Sequence, residues 1–218
     1  KLIETSCKLL SCSPENAEAE LDILISSGEL VLVKEDGRDC VYTKNAYKAE
    51  KYIVEKLDSL SKTDHRIDIM NVSALIEKAE IENDISYAKL QKKAITDSLC
   101  QGVFVLTGGP GTGKTTVARA IIRIFETLGL SVALCAPTGR AAKRMTEATG
   151  REAKTIHRLL ETERTSEDEP IFRRGEDNPL DEDVIMVDES SMIDIYLMES
   201  LLRAIRPTAR LILIGDAS

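Results

Sequence analysis

Gly108-Gly109-Pro110-Gly111-Thr112-Gly113-Lys114-Thr115 is the most informative stretch of this 218-residue sequence. It follows a short apolar run, Val103-Phe104-Val105-Leu106, and precedes a helical pattern over residues 116–128. A glycine-rich loop in this setting turns successive backbone N–H groups inward, and the following helix adds the positive end of its dipole. Both features attract phosphate oxygens, so the spacing Gly-x4-Gly-Lys-Thr predicts a nucleoside triphosphate site rather than a plain turn.

The residues of this loop have separate expected roles. Lys114 is expected to bridge the β- and γ-phosphates, and the Thr115 hydroxyl is expected to ligate Mg²⁺. The predicted nucleotide-binding residues of the loop are Gly109, Pro110, Gly111, Thr112, Gly113, Lys114, Thr115 and Thr116.

An acidic pair ends a second apolar run, Val184-Ile185-Met186-Val187-Asp188-Glu189. Asp188 is expected to hold Mg²⁺ through its water shell opposite Thr115, and Glu189 to orient or deprotonate an attacking water. Two solvated acids at a strand end are the alternative interpretation. An Asp-Glu pair favours hydrolysis over phosphoryl transfer to a small molecule, so the predicted catalytic residues are Lys114, Asp188 and Glu189.

Apolar runs at residues 131–135, 184–187 and 211–214 alternate with helical patterns at residues 116–128 and 139–148. Continuous apolar strands separated by helices are typical of a parallel sheet that is covered on both faces. The predicted fold class is therefore α/β, as a P-loop NTPase sheet flanked by helices.

The N-terminal part has a different pattern. Ser13 and Pro14 are suited to start a helix, and Asp36-Gly37 between two β-prone runs predicts a hairpin, which together suggest a small winged-helix-like α+β domain. No Lys or Arg occurs in residues 13–33, which favours packing or partner contact over reading a DNA groove. The winged-helix-like domain with its trailing helix, a connecting helical segment and the α/β domain are expected at residues 1–62, 63–85 and 86–218.

Charge is unevenly distributed along the chain. The formal net charge of −8 and the pI near 5.0 count against a dedicated duplex-DNA binder. Basic residues nevertheless concentrate in one segment, at Arg140, Lys143, Arg144, Arg151, Lys154 and Arg158. Residues 161–183 carry ten acids against three arginines and are expected to be solvated and mobile, anchored by Ile171, Phe172 and Leu180.

Cysteine usage and hydropathy bear on the cellular compartment. The five cysteines are irregularly spaced and form no C-x-x-C pair, which argues against zinc and against a disulfide framework. No apolar run approaches the roughly 18 residues that span a bilayer, and no signal peptide is recognised at the start. We therefore expect a cytoplasmic protein with reduced thiols and no membrane partner.

Five motifs in order resemble those of superfamily 1 helicases. Residues 108–116 are similar to motif I, residues 135–143 to motif Ia and residues 187–192 to motif II, while Gly215-Asp216 resembles the opening of motif III. The run Thr155-Ile156-His157-Arg158-Leu159-Leu160 is similar to one typical of the RecD-like branch, which contains the exodeoxyribonuclease V alpha subunit. The resemblance covers about residues 87 to 218 and implies a RecA-like motor domain.

The resemblance also implies roles for residues outside the loop. Gln91 matches the glutamine that contacts adenine in the family, which implies ATP, although a glutamine on a helix is also commonly solvated. Gly215 and Asp216 match the motif that couples nucleotide state to DNA. The residues implied to contact single-stranded DNA, or to brace that segment, are Pro137, Thr138, Gly139, Arg140, Thr155, His157 and Arg158. A solvated basic helix face is the alternative interpretation of the last group.

The function implied by the resemblance is that of an ATP-dependent 5′-to-3′ DNA helicase acting in DNA repair and recombination. These residues would be its N-terminal unit and first motor domain, and single-stranded DNA and nuclease or repair-complex subunits would be its partners. Turnover by these residues alone is expected to be weak, since the family's second motor domain supplies the arginine that stabilises the transition state. Two alternatives stay open: a DNA-translocating ATPase subunit of a nuclease or conjugation complex, and a protein-directed nucleotide switch, which the acidic net charge would suit.

Overall fold

The computed structural model of the chain describes residues 1–65, 69–109, 111–164 and 170–216. The chain divides into two compact units, Lys1–Tyr52 and Ile53–Ser218. The division lies within a long helix, α3 (Lys44–Lys62), rather than after it.

The first unit consists of two helices, a hairpin and the start of α3. Its elements before α3 are α1 (Leu2–Leu10), α2 (Pro14–Ser26), β1 (Leu30–Glu35) and β2 (Arg38–Thr43). The Ser13 side chain caps α2 by accepting a hydrogen bond from the Asn16 backbone N–H at 3.3 Å. Asp36 and Gly37 both have positive φ, 46° and 75°, as a two-residue hairpin turn requires. The helix and the hairpin that the sequence predicted here are both present.

The second unit alternates strands and helices after two leading helices. In chain order its elements after α3 are α4 (Ile69–Asn83), α5 (Lys89–Cys100), β3 (Val103–Thr107), α6 (Lys114–Thr127), β4 (Val132–Ala136), α7 (Gly139–Thr149), β5 (Ala153–Thr155), α8 (Ile156–Leu159), β6 (Thr162–Arg164), β7 (Pro170–Phe172), β8 (Val184–Val187), a 3₁₀ turn (Ser190–Met192), α9 (Ile195–Ala204) and β9 (Arg210–Gly215).

Five of these strands form one parallel sheet in the order β3-β9-β8-β4-β5. β8 pairs with β9 on one side and with β4 on the other, with Val187 opposite Cys135 in the second pair. Because all five strands run the same way, the loops that follow them emerge at a single edge of the sheet. This α/β sheet with its flanking helices confirms the predicted fold class.

The sheet is buried on both faces. All four residues of β8 are fully buried, so neither of its alternating sets of side chains faces water. Val184 and Met186 belong to the core cluster that α6 fills with Ile121 and Phe125, both completely inaccessible. This packing fixes the ends of the strands and therefore the positions of the loops that follow them.

The acidic segment after α8 differs from its prediction. Its described part contains the antiparallel hairpin β6–β7, and Arg174 pairs with Glu161 at 2.9 Å. The acids that pair with arginines here remain exposed, as expected for a solvated segment, and the hairpin is the feature that the sequence did not predict. Leu180 is buried as expected, at 3% exposure, but Ile171 is 53% exposed and does not anchor the segment. Residues 165–169 lie outside the described part.

Candidate active site

The side chain of Lys114, at the start of α6, is engaged by oxygens of the glycine-rich loop. Its Nζ donates to the carbonyl oxygens of Gly108 at 2.5 Å and Gly109 at 3.1 Å, and to Oδ1 of Asp216 at 2.7 Å. An ammonium group has three protons, so these three partners occupy all of its donors. Phosphate oxygens could take their place with little movement of the lysine, which is only 19% exposed.

The loop itself is held in a shape that needs glycine at two positions. Gly111 and Gly113 have φ of 75° and 85°, in the left-handed region that other residues rarely adopt. The Thr112 hydroxyl donates to the Gly109 carbonyl at 2.9 Å, a hydrogen bond within the loop that stabilises its shape. Thr115 and Thr116 are exposed at the first turn of α6. The predicted contact of Pro110 falls outside the described residues.

Gln91 lies against this loop. Its Oε1 accepts from the Ala88 backbone N–H at 3.0 Å, and its Nε2 is 3.5 Å from the Thr112 carbonyl. A Cβ on Gly113 would come within 2.5 Å of Nε2, so the absence of a side chain there permits the approach. The structure thus brings Gln91 to the glycine-rich loop, although the two are distant in sequence.

Asp188 directly follows β8, the middle strand of the sheet, at the carboxyl end of the strands. Its backbone N–H donates to the Cys135 carbonyl at 2.9 Å, which extends the pairing of β8 with β4. Its Oδ1 accepts from the Glu189 backbone N–H at 3.0 Å. Burial raises the pKa of the Asp188 carboxyl, and the Glu189 charge raises it further, against the lowering effects of that hydrogen bond and of Arg144 and Lys114.

Glu189 has a backbone conformation that is unusual for a residue with a side chain, with φ 52° and ψ 39°. Its carboxylate forms an ion pair with the guanidinium of Arg144, which comes from α7. Both residues line a cleft of about 500 Å³ together with Lys114, Thr115, Asp188 and Asp216. The cleft therefore gathers the predicted phosphate, metal and catalytic residues in one place. In the sequence Arg144 stands out only as one of several basic residues, and its four-residue spacing from Arg140 is the one pattern that places it on the same helix face.

The oxygen donors in the cleft suit Mg²⁺. Thr115 supplies a hydroxyl and Asp188 a half-buried carboxylate, and both line the same space. Within the described ranges no group of three His, Cys, Asp or Glu side chains could hold a metal. Mg²⁺ commonly takes only one or two protein ligands and completes its shell with phosphate oxygens and water, so this sparse donor set fits it.

The end of β9 packs on the turn that follows Glu189. A Cβ on Gly215 would lie 3.0 Å from the Ser190 hydroxyl oxygen and 3.5 Å from the Ser191 backbone nitrogen. The next residue, Asp216, holds Lys114. The opening of the motif III-like segment thus contacts both the turn after Glu189 and Lys114.

The segment between β4 and α7 forms the next part of the sheet edge. Thr138 caps α7, since its hydroxyl oxygen accepts from the Ala141 backbone N–H at 3.2 Å. Pro137 is half-buried, whereas Gly139 and Arg140 are exposed. The hydroxyl of Thr138 is thus already occupied by a structural hydrogen bond, and Arg140 is the free cation of this turn in the described structure.

A similar arrangement follows β5. The Thr155 hydroxyl oxygen caps α8 by accepting from the Arg158 backbone N–H at 3.1 Å. The His157 ring lies 5.8 Å from the ring of Phe172, which links α8 to the β6–β7 hairpin. Arg158 is exposed and 3.9 Å from Glu152. The threonine braces the segment, while His157 and Arg158 are exposed.

Two further findings concern the whole chain. The five cysteines are free thiols, and Cys135 is completely buried, which raises its pKa to about 12. None of the helices in the described ranges has the length and apolar character that crossing a membrane requires.

Comparison with known proteins places the same residues in a recognised family. A family model described as an AAA domain matches residues 91–218. The chain is 46% identical over 127 residues to the ATP-dependent RecD2 DNA helicase of Deinococcus radiodurans, a match that covers 58% of this chain and 17% of that one. It is 45% identical over 150 residues to the RecBCD enzyme subunit RecD of Mycobacterium tuberculosis, covering 58% and 25%.

A third relative matches more of the N-terminal part. The RecBCD enzyme subunit RecD of Buchnera aphidicola subsp. Schizaphis graminum is 33% identical over 241 residues, which covers 96% of this chain and 38% of that subunit. The chain thus spans between about a sixth and two fifths of the length of these relatives.

Proposed function

We infer, since this chain belongs to the AAA domain family, that it carries the ATP-hydrolysing motor domain of an ATP-dependent DNA helicase of the RecD type. One observation carries the proposal: a single cleft collects Lys114, Thr115, Asp188 and Glu189 at the carboxyl edge of a parallel sheet. Phosphate, metal and water-activating groups in this arrangement suit hydrolysis of a nucleoside triphosphate.

The cleft residues would divide the chemistry as follows. Lys114 would exchange its loop and Asp216 partners for β- and γ-phosphate oxygens. Thr115 and Asp188 would hold Mg²⁺, which would neutralise charge on the phosphates. Glu189 would accept the proton of the attacking water once its carboxylate is free of Arg144. Gln91, packed against the loop, would contact the adenine and favour ATP.

DNA binding is proposed for the adjacent loops. Arg140, His157 and Arg158 are exposed and follow β4 and β5, two neighbouring strands. Guanidinium groups at this edge could contact phosphates of a single strand, while the Thr138 and Thr155 caps keep their backbone in place. The acidic net charge of −8 does not exclude this, because Arg140 and Arg158 present two exposed cations at this edge.

The relatives support the wider proposal by their names, which are those of a DNA helicase and of a RecBCD subunit. We propose 5′-to-3′ movement on single-stranded DNA, contact with nuclease or repair-complex subunits, and a cytoplasmic location. We assign the motor to residues 86–218, with residues 63–85 as a helical connection and residues 1–62 as an N-terminal domain.

The first test is ATP hydrolysis by the intact protein that carries this chain, with and without a single-stranded oligodeoxynucleotide. We expect strong stimulation by DNA and a requirement for Mg²⁺. Glu189→Gln should lower kcat by roughly 10²- to 10⁴-fold and leave ATP binding intact. Intact ATP binding without any stimulation by DNA would reject the motor and favour a protein-directed switch.

The second test concerns the DNA contacts. Replacing Arg140 and Arg158 with Ala should weaken binding of a single strand and reduce its salt dependence by about one unit of slope for each lost phosphate contact. ATP binding should be unchanged. Lys143→Ala, which removes an exposed cation 3.9 Å from Glu147, is the matched control. Equal effects of the three changes would show only a general loss of positive charge.

A further inference from the structure

Arg144 enters the proposed chemistry only as the partner from which Glu189 must separate, yet it connects two parts of the site. It lies in the second turn of α7, and its guanidinium contacts the Glu189 carboxylate across the cleft. Arg140, one turn earlier on the same helix, is a proposed DNA contact. Residues four apart share a helix face, so a single helix presents one arginine to the proposed DNA path and one to the proposed catalytic carboxylate.

Glu189 meets Arg144 from a backbone conformation that is uncommon for a residue with a side chain. Its backbone lies in the left-handed region, and its side chain is 26% exposed. A carboxylate held by a guanidinium is fixed in direction and has fewer free lone pairs with which to accept a proton from water. The pair therefore opposes the role of Glu189 as a base for as long as it persists.

The pairing of β4 with β8 links the segment before α7 to Asp188 and Glu189. The Asp188 backbone N–H bonds to the Cys135 carbonyl, and Cys135 is two residues before Pro137, where the proposed DNA segment begins. Movement of residues 137–140 by a bound strand would therefore occur beside Asp188 and Glu189. It would also displace α7, and Arg144 with it.

We propose that Arg144 is a positioning residue that restrains Glu189 until single-stranded DNA engages the start of α7. The inference rests on the proposed function. The Arg144 side chain is 59% exposed, and a partly exposed ion pair is weak enough for a modest helix movement to break it. Hydrolysis is thereby kept slow without DNA, and DNA binding releases the carboxylate.

The test uses Arg144→Gln in the intact protein that carries this chain, with Lys143→Gln as the matched control from the same helix. We expect Arg144→Gln to raise kcat for ATP without DNA by about two- to fivefold, the range for loss of a weak ion pair. The kcat with saturating DNA and the KM for ATP should stay within twofold, so that the stimulation ratio falls. Arg144→Lys keeps the charge and should restore the low rate without DNA, and Lys143→Gln should change neither rate.

Several results would overturn the inference. An equal loss of kcat with and without DNA would mean that Arg144 supports the chemical step, and an unchanged rate without DNA would mean that the contact restrains nothing. Arg144→Met, which keeps the aliphatic stem, replaces Arg144→Gln in the same test if the latter melts at a lower temperature. Failure of the proposed function can be told apart from failure of this inference, because the unaltered protein would then bind ATP while its ATP hydrolysis would not be stimulated by DNA.

Discussion

Gly113 is the position where one added methyl group should most disturb the glycine-rich loop that is proposed to bind phosphate. Its φ of 85° lies in the left-handed region, which costs a residue with a Cβ roughly 1–2 kcal/mol. A Cβ there would also lie 2.5 Å from Nε2 of Gln91 and would have to displace that amide. Loss of the Gln91 contacts adds about 1 kcal/mol. Gly113→Ala thus perturbs the loop by roughly 2–3 kcal/mol.

This cost should appear mainly in nucleotide binding. The loop without nucleotide can relax from the strain and must return to its original shape around phosphate, so the Kd for an ATP analogue with Mg²⁺ should rise about 30- to 150-fold. The melting temperature without nucleotide should change little, because the loop is at the surface and the sheet core is untouched. Titration of a fluorescent ATP analogue measures the Kd, and a thermal melt confirms folding.

Gly111→Ala is the matched control for this prediction. Gly111 has a similar φ of 75°, but no atom lies within 4 Å of the position of an added Cβ, so it isolates the backbone strain. It should raise the Kd only about five- to thirtyfold. Compared with Gln91→Ala alone, which removes the proposed adenine contact, the double change of Gly113→Ala with Gln91→Ala should raise the Kd only by the factor expected for backbone strain. Equal Kd values for Gly113→Ala and Gly111→Ala would refute the Gln91 contact, and an unchanged Kd in both would refute the strain.

Two titrating carboxylates give further predictions. The pKa of Asp188 is raised by burial, so its charged form destabilises the fold above that pKa and the penalty disappears as the pH falls. Asp188→Asn should therefore raise Tm at pH 7 by up to about 3 °C and remove Mg²⁺-dependent hydrolysis, and a lower Tm would contradict this. Hydrogen bonds from Ser131 lower the pKa of Asp183, so its contribution is present above the unfolded pKa and is lost as the pH falls through the folded pKa. Asp183→Ala should cost about 1–2 kcal/mol in urea unfolding at pH 7, allowing for partial exposure, and the difference from the parent should shrink in acid. Asp181→Ala, at 89% side-chain exposure, should change stability by less than half as much.

Many strands and helices of the second unit could be predicted from local sequence patterns. β8 coincides with the apolar run at residues 184–187, and α7 begins at Gly139 as predicted. Continuous apolar runs of this length report burial on both sheet faces, and Gly and Thr mark the helix ends. The hairpin β6–β7 was not predicted, because three-residue strands rich in charge carry no periodic signal.

The sequence by itself determined which residues are candidates for the chemistry: the Gly-Lys-Thr loop, and the acidic pair at the end of a strand. These motifs are contiguous, so short-range conformation and residue type suffice to recognise them. Only the tertiary structure decided which partners hold them, namely Asp216 on Lys114, Arg144 on Glu189 and Gln91 against the loop. Those contacts join residues from 21 to 102 positions apart. The Lys114–Asp216 and Arg144–Glu189 contacts follow from the strand order, which puts β9 beside β3 and β8 beside β4, and this order is set by packing of the whole sheet and not by any local stretch.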